Sequence, residues 1–273
     1  MQVDCHIHSL YSDGIYTVKE IVEMLLQRNI QVFSLTDHDT VEGTKEARES
    51  GKNKIRFISG IEFTCKEMRI STIGKAFSIH LLGYNFDENN LQLCTALNKR
   101  KERVIYVYEN LCAELTALGY SVLREEIPIS CGNVLQLCDV AAYIHKKYLD
   151  VSENILKVID NCAVKLNNAN ISVEEAVKLI HDAGGKAVWA HPFCVYKDFK
   201  KISIDEKEIL DTLDALSWID VDGIEAYYLA FDDKKQKWLR AAAESRDMIY
   251  TAGSDFHGSI GRDCMGIEIS EFF

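Results

Sequence analysis

Seven short apolar, β-branched runs constrain the fold of this chain more than any other feature. They are "MQVDCHIH", "QVFSLTDHD", "IRFISGIEFT", "FSIHLLGY", "GKAVWAHP", "VDGIEAYY" and "MIYTAGSDFH", and each has the length and composition of a buried strand. Helix-like segments lie between several of them. Thr17 caps "TVKEIVEMLLQRN", with Glu20 completing a capping box. Ser172 and Glu175 do the same for "SVEEAVKLIHDAGG", which ends on Gly184-Gly185. "EKEILDTLDALSWID" and "DDKKQKWLRAAAESRD" carry the 3.6-residue period as well. Strands alternating with helices call for a parallel α/β sheet. With no glycine-rich phosphate loop, a closed barrel fits better than a doubly wound sheet.

Residues 86–171 break this rhythm. They hold helical runs such as "NLQLCTALNKRKERVIYVYENLCAELTALGY" and "NILKVIDNCAVKLN", with no clear strand. The expected organisation is a barrel from 1–85 and 172–273, with 86–171 as a helical insertion (cap) domain between the fourth and fifth strands. Placed after the fourth strand, the insert is expected to emerge on the face that carries His80.

Composition narrows the function. The chain has 273 residues, 47% hydrophobic and 27% charged, with a net charge of −11. That balance disfavours an extended nucleic-acid duplex, which needs a basic surface. It leaves room for a small phosphorylated substrate. No stretch approaches the ~20 apolar residues of a membrane span, and no basic n-region precedes an apolar run, so a cytoplasmic protein is expected. The nine cysteines include no C-x-x-C pair and read as reduced thiols, against both a disulfide framework and a thiolate zinc site.

Six of the eight histidines fall in or just after a strand run. A barrel builds its site there, at the C-terminal ends of its strands. His6 and His8 are two apart and face one side of a strand. Asp13, Glu62 and Asp255 occupy similar places. So many polar groups brought together are costly unless something binds them, and imidazole is a common metal ligand. His6 and His8 therefore read as metal ligands.

The motifs "DCHIHSLYSDG", "TDHDT", "AHP" and "GSDFHG", with "GIEFT" and "IHLLGY" between them, resemble those of the polymerase and histidinol phosphatase (PHP) superfamily. The resemblance covers residues 1–84 and 185–273. It implies a distorted (β/α)7 barrel, two or three divalent cations (Mn, Fe or Zn) and hydrolysis of phosphoesters by metal-activated hydroxide. It places metal ligands at His6, His8, Asp13, His38, Glu62, His80, His191, Asp255 and His257, with Asp255 also a catalytic proton relay. Asp4 and Asp37 would orient imidazoles from behind, or merely be polar strand edges.

Arg262 is the first candidate to hold phosphate, since a guanidinium can do so bidentately, and Arg103 in the insert is the second. Tyr227 and Tyr228 would stack on a base or pack in the core. The insert resembles that of a subgroup of metal-dependent phosphoesterases related to nucleotide phosphodiesterases and a 5′–3′ exoribonuclease. "SCGNVLQLCDVAAYI" departs from that subgroup's Gly-Arg-x-His-like segment at Asn133. The expected function is hydrolysis of a phosphomonoester or phosphodiester of a small molecule, a nucleotide above all. The alternatives are a histidinol-phosphate phosphatase, a 5′–3′ exonuclease on short RNA and a non-catalytic PHP module.

Overall fold

The computed structural model describes residues 1–197, 200–259 and 261–269. The first part of the chain runs β1 (Gln2–Asp4), α1 (Val18–Gln27), β2 (Val32–Leu35), α2 (Thr44–Gly51), β3 (Arg56–Thr64), β4 (Met68–Ile70), β5 (Lys75–Phe77) and β6 (His80–Tyr84). Helices α3 (Leu91–Ala117), α4 (Leu137–Lys147), α5 (Glu153–Ala169) and α6 (Val173–Asp182) follow. The chain then passes through β7 (Lys186–Trp189), β8 (Cys194–Lys197), β9 (Lys200–Ser203), α7 (Glu206–Ser217), β10 (Gly223–Tyr228), α8 (Asp233–Glu244), β11 (Ile249–Gly253) and β12 (Ile267–Glu268).

The main sheet has the order β11-β10-β7-β6-β3-β2-β1-β12. Beyond β1 the chain stays extended and meets the end of β11. Cys5 N–H donates to Ala252 O at 2.9 Å, and Ile7 bridges Phe256 in parallel. The seven expected strands thereby form a nearly closed barrel, with β12 lying antiparallel along the lower half of β1. Thr17 and Glu20 form the expected capping box of α1, and Ser172 caps α6.

One strand runs the other way. β6 pairs antiparallel with both β3 and β7, whereas strict alternation leads one to expect a parallel sheet. The reason lies in residues 65–79, which form the β4–β5 hairpin instead of a crossover helix. Without a crossover the chain re-enters the sheet at the end it left. His80 therefore starts its strand at the level of Thr64, while Tyr84 finishes at the opposite end of the barrel, beside Gly60.

The insert accordingly leaves from the face opposite His80, which corrects the sequence expectation. It returns to the mouth because α3 is 27 residues long, about 40 Å at 1.5 Å per residue. Its first half packs Leu93 and Leu97 into the barrel's outer core. Its second half packs Tyr108, Leu111 and Leu115 against Val140, Ile155 and Ile159 of α4 and α5. The loop before α4 is pinned to the first motif, where Asn133 donates from N to Ser12 O at 2.9 Å and from Nδ2 to Leu10 O at 2.6 Å. Gly132 permits this approach. Its φ is +61°, and a Cβ there would stand 2.0 Å from Ser12 O.

Asp4 closes the barrel seam. Its Oδ1 accepts Ser254 N–H (3.0 Å), and its Oδ2 accepts Ser254 Oγ–H (2.7 Å) and Gly266 N–H (2.8 Å). An asparagine has one acceptor for these positions, so Asp4→Asn orphans a backbone N–H. The expected loss is about 1–3 kcal/mol, read as a lower urea midpoint with an unchanged m-value; an unchanged midpoint would refute the seam.

Candidate metal centre

The site grows from strand alternation at the barrel mouth. Ile7 packs outward with Ile21, Leu25 and Phe33, so its neighbours His6 and His8 turn inward. His38 follows β2, Glu62 lies on β3, His80 opens β6, His191 follows β7, and Asp255 and His257 follow β11. Asp39, His191 and Asp255 hold φ of +54°, +32° and +58°, in the left-handed region that side chains rarely adopt. Gly253 lets two strands meet here, since a Cβ would fall 2.2 Å from His6 Cβ and 2.7 Å from Glu225 Oε1.

Glu62 is fully buried at the centre. Its Oε2 lies 3.1 Å from both His6 Nε2 and His8 Nε2 and 3.4 Å from His38 Nδ1. Its Oε1 lies 3.0 Å from His80 Nδ1 and 3.2 Å from His191 Nε2. Asp255 Oδ1 is 3.4 Å from His8 Nε2 and 3.5 Å from His257 Nδ1. Asp13 Oδ1 is 3.3 Å from His257 Nε2. All nine residues expected to ligate metal are thus brought to one mouth.

The electrostatics show what this cluster demands. Burial would raise the Glu62 carboxyl, but His6, His38 and His80 outweigh it and hold it well below the usual range. Burial would likewise lower His8, yet Asp255 and Glu62 lift it to about 9. At His38 burial wins, pushing it down to about 3. Glu62 and Asp255 are both held low against their burial, and beside each the strongest opposing influence is His6.

The donor atoms suit cations. His8, Asp13, His38 and His257 offer one set of atoms within 4.8 Å of one another. His6, His8, Glu62 and Asp255 offer a second, and His38, Glu62 and His80 a third. Both ring nitrogens of His8 and Asp13 Oδ1 are buried without a hydrogen-bond partner. His8 Nε2 is close to two carboxylates but aligned with neither as a hydrogen bond. Converging, unsatisfied imidazole and carboxylate donors are what Mn²⁺, Fe²⁺ or Zn²⁺ takes.

The mouth opens into a cavity of about 520 Å³ between barrel and insert. Arg262 lines it, with Nη1 3.6 Å from Asp255 Oδ2. Arg103 is exposed and outside the lining, because the inner face of α3 carries residues 93, 97, 100, 104 and 108 at helical spacing. Arg100 is the arginine of α3 that lines the cavity, paired with Asp39 Oδ2 at 2.9 Å and donating to Asn170 Oδ1. Tyr228 is buried and donates to Asp255 Oδ2 at 2.8 Å. Tyr227 packs with Tyr250 and Arg240 instead.

Asp4 and Asp37 do not orient rings. Asp37 accepts from Ser9 N–H, Ser9 Oγ–H and Ser12 Oγ–H, stapling the loop after His8. The ring-orienting acid is Glu225, which the sequence reading passed over. Its Oε1 is 2.9 Å from His6 Nδ1, and its Oε2 accepts His191 N–H at 2.9 Å. The available signal was an acid inside the apolar strand "GIEAYY", which needs a buried partner.

A profile of the PHP domain matches residues 4–255. The chain is similar to the 5′-3′ exoribonuclease Rnm of Escherichia coli, 26% identical over 97% of this chain and 87% of that protein. It is also similar to the 3′,5′-nucleoside bisphosphate phosphatase of Chromobacterium violaceum, 26% identical over 96% of this chain and 90% of that one. A solved structure described as an amidohydrolase from Chromobacterium violaceum shares the fold, with a TM-score of 0.70 and 22% identity over 98% of this chain and 91% of that chain.

Both groups that Glu225 meets are donors, and a carboxylate only accepts. His6 Nδ1 therefore carries a proton toward Glu225, which leaves Nε2, beside Glu62, as the ring atom that would ligate a cation. Glu225→Gln can satisfy one donor and opposes the other with its NH₂. The expected result is a folded protein whose divalent-metal affinity, measured by chelator competition, falls about 10–100-fold. Unchanged affinity would exclude this role.

Proposed function

This chain belongs to the PHP domain family, and on that premise we propose that it hydrolyses a phosphoester of a small molecule, a nucleotide, in the cavity at the barrel mouth. As a member it is a metal-dependent phosphoric ester hydrolase, in keeping with the phosphatase and exoribonuclease it resembles. The observation that carries the reading is the crowding of three donor sets at one barrel mouth, two of them sharing Glu62, with Arg262 lining the same cavity.

His6, His8, Asp13, His38, Glu62, His80, His191, Asp255 and His257 would hold two or three cations. When bound, these supply an acidified water as nucleophile and neutralise charge on phosphate. The remaining work falls to the protein's own groups. Arg262 presents a guanidinium to the phosphate, a geometry suited to bidentate holding. Tyr228 donates to Oδ2 of Asp255, which leaves Oδ1 as the oxygen that would ligate. Residues 86–171 act as a cap. Tied down by Arg100 to Asp39 and by Asn133 to the first motif loop, they limit what enters.

A second reading, cleavage of short RNA from its 5′ end, is favoured by the likeness to the Escherichia coli enzyme. Against it stands the net charge of −11, which offers a polynucleotide backbone little attraction. No helix among the described residues is long and apolar enough to cross a membrane.

Reconstitution with Mn²⁺, Zn²⁺ or Fe²⁺ is expected to load at least two ions per chain by elemental analysis, since the nine donors exceed what one site takes. Glu62→Gln is expected to lower kcat/KM by more than about 100-fold, beyond the 10–100-fold that outer partners of ligands cost. One ion or fewer, or near-native turnover by the variant, would overturn the assignment.

A further inference from the structure

We infer that the cavity is built for a nucleoside monophosphate, with one phosphate at the metal centre and an uncharged base on the insert's wall, and that this wall rejects a second phosphate. The inference rests on the phosphoesterase reading above and goes further by naming the substrate class.

The cavity has two unlike walls. On the barrel side stand the imidazoles, the carboxylates and Arg262, whose Nη1 is 3.0 Å from His257 Nε2. This places the guanidinium beside His257 and Asp255, where the reacting phosphate would bind. Lys200 lies on the same side, exposed on the β8–β9 hairpin.

The insert's wall is different. Val104, Tyr108, Leu135, Leu137 and Leu166 give it an apolar surface. Among the described lining residues its cation is Arg100, already neutralised by Asp39. Its one acidic member is Asp160, so no net positive charge is left there for an anion.

Of the three carboxamides on that wall, Gln136, Asn167 and Asn170, the two asparagines are held at their oxygens by backbone or guanidinium donors. Asn167 Oδ1 accepts Glu67 N–H at 2.8 Å, and Asn170 Oδ1 accepts from Arg100. Because both partners are donors, the oxygen of each amide is committed and the NH₂ is the group left for a ligand. Donors set in an apolar surface suit the carbonyl and ring-nitrogen acceptors of a base. They also suit a planar group that gains from burial. A phosphate on the same wall would lose its water and find no free cation, an arrangement that works by exclusion as much as by attraction.

A cavity of about 520 Å³ is of the size that encloses a small ligand. The Gly132–Asn133 contact with Ser12 and Leu10 seals the insert onto the loop beside the metal centre.

The test uses the full chain loaded with Mn²⁺. kcat/KM is measured for a nucleoside 5′-monophosphate, the matching 3′,5′-bisphosphate, a 5′-phosphorylated trinucleotide, ribose 5-phosphate and p-nitrophenyl phosphate. The monophosphate is expected to exceed the bisphosphate, the trinucleotide and the sugar phosphate by at least about tenfold. Val134→Arg puts a cation on the exposed edge of the insert's wall and is expected to move the bisphosphate-to-monophosphate ratio upward by about tenfold. If the protein hydrolyses p-nitrophenyl phosphate but shows a smaller preference, or if the ratio does not move, this inference fails and the phosphoesterase reading stands. If the metal-loaded protein hydrolyses none of the esters, both fail together.

Discussion

A carboxylate with no exposure to water must be surrounded by positive charge or give up its own. Glu62 is in that position, with five imidazoles placed around its two oxygens. These imidazoles come from four separate parts of the chain, His6 and His8 sharing one, so the demand of one side chain fixes how several strand ends meet. Glycine at 253, left-handed backbone at His191 and Asp255, and Glu225 behind His6 all serve that convergence. Backbone strain of this kind persists only where the surroundings hold it. Here Glu225 takes the His191 N–H, and Tyr228 takes one oxygen of Asp255.

The reversed strand β6 has consequences far from its own register. Because the chain re-enters without a crossover helix, His80 joins the mouth from the start of its strand and not from its end. The insert must then cross the height of the barrel before it can reach the site. Helix α3 spans that distance in one piece, sharing its apolar face between the barrel's core and the insert's own. Arg100 sits between those two stretches, and there it ties cap to barrel through Asp39 and Asn170. The cavity, its lining and its separation of charge all follow from that arrangement.

The order of the chain largely set which residues could ligate metal. Histidines and acids at strand ends are legible because a strand's period of two and the site's position at strand termini are local rules. The amphipathic helices were equally legible, capping residues included, for both Thr17 and Ser172 obey rules that span three or four residues. The eight-residue helix α2 and the two small hairpins are not legible in the sequence. Each is too short to show a period.

What only the tertiary structure decided concerns partners distant in sequence. Whether Arg100 or Arg103 faces the cavity depends on how α3 is rotated against the barrel, which its packing fixes and its composition does not. Glu225 orients a histidine 219 positions away. Asp4 and Asp37, placed like ring-orienting acids in their motifs, instead hold the seam and a loop, because the donors nearest them are backbone amides and serine hydroxyls. The sequence by itself therefore determined the candidate donor residues and the longer helices of the insert. The direction of β6, the choice of arginine and the unlike walls of the cavity came from packing, since proximity through space follows from the assembled core and not from spacing along the chain.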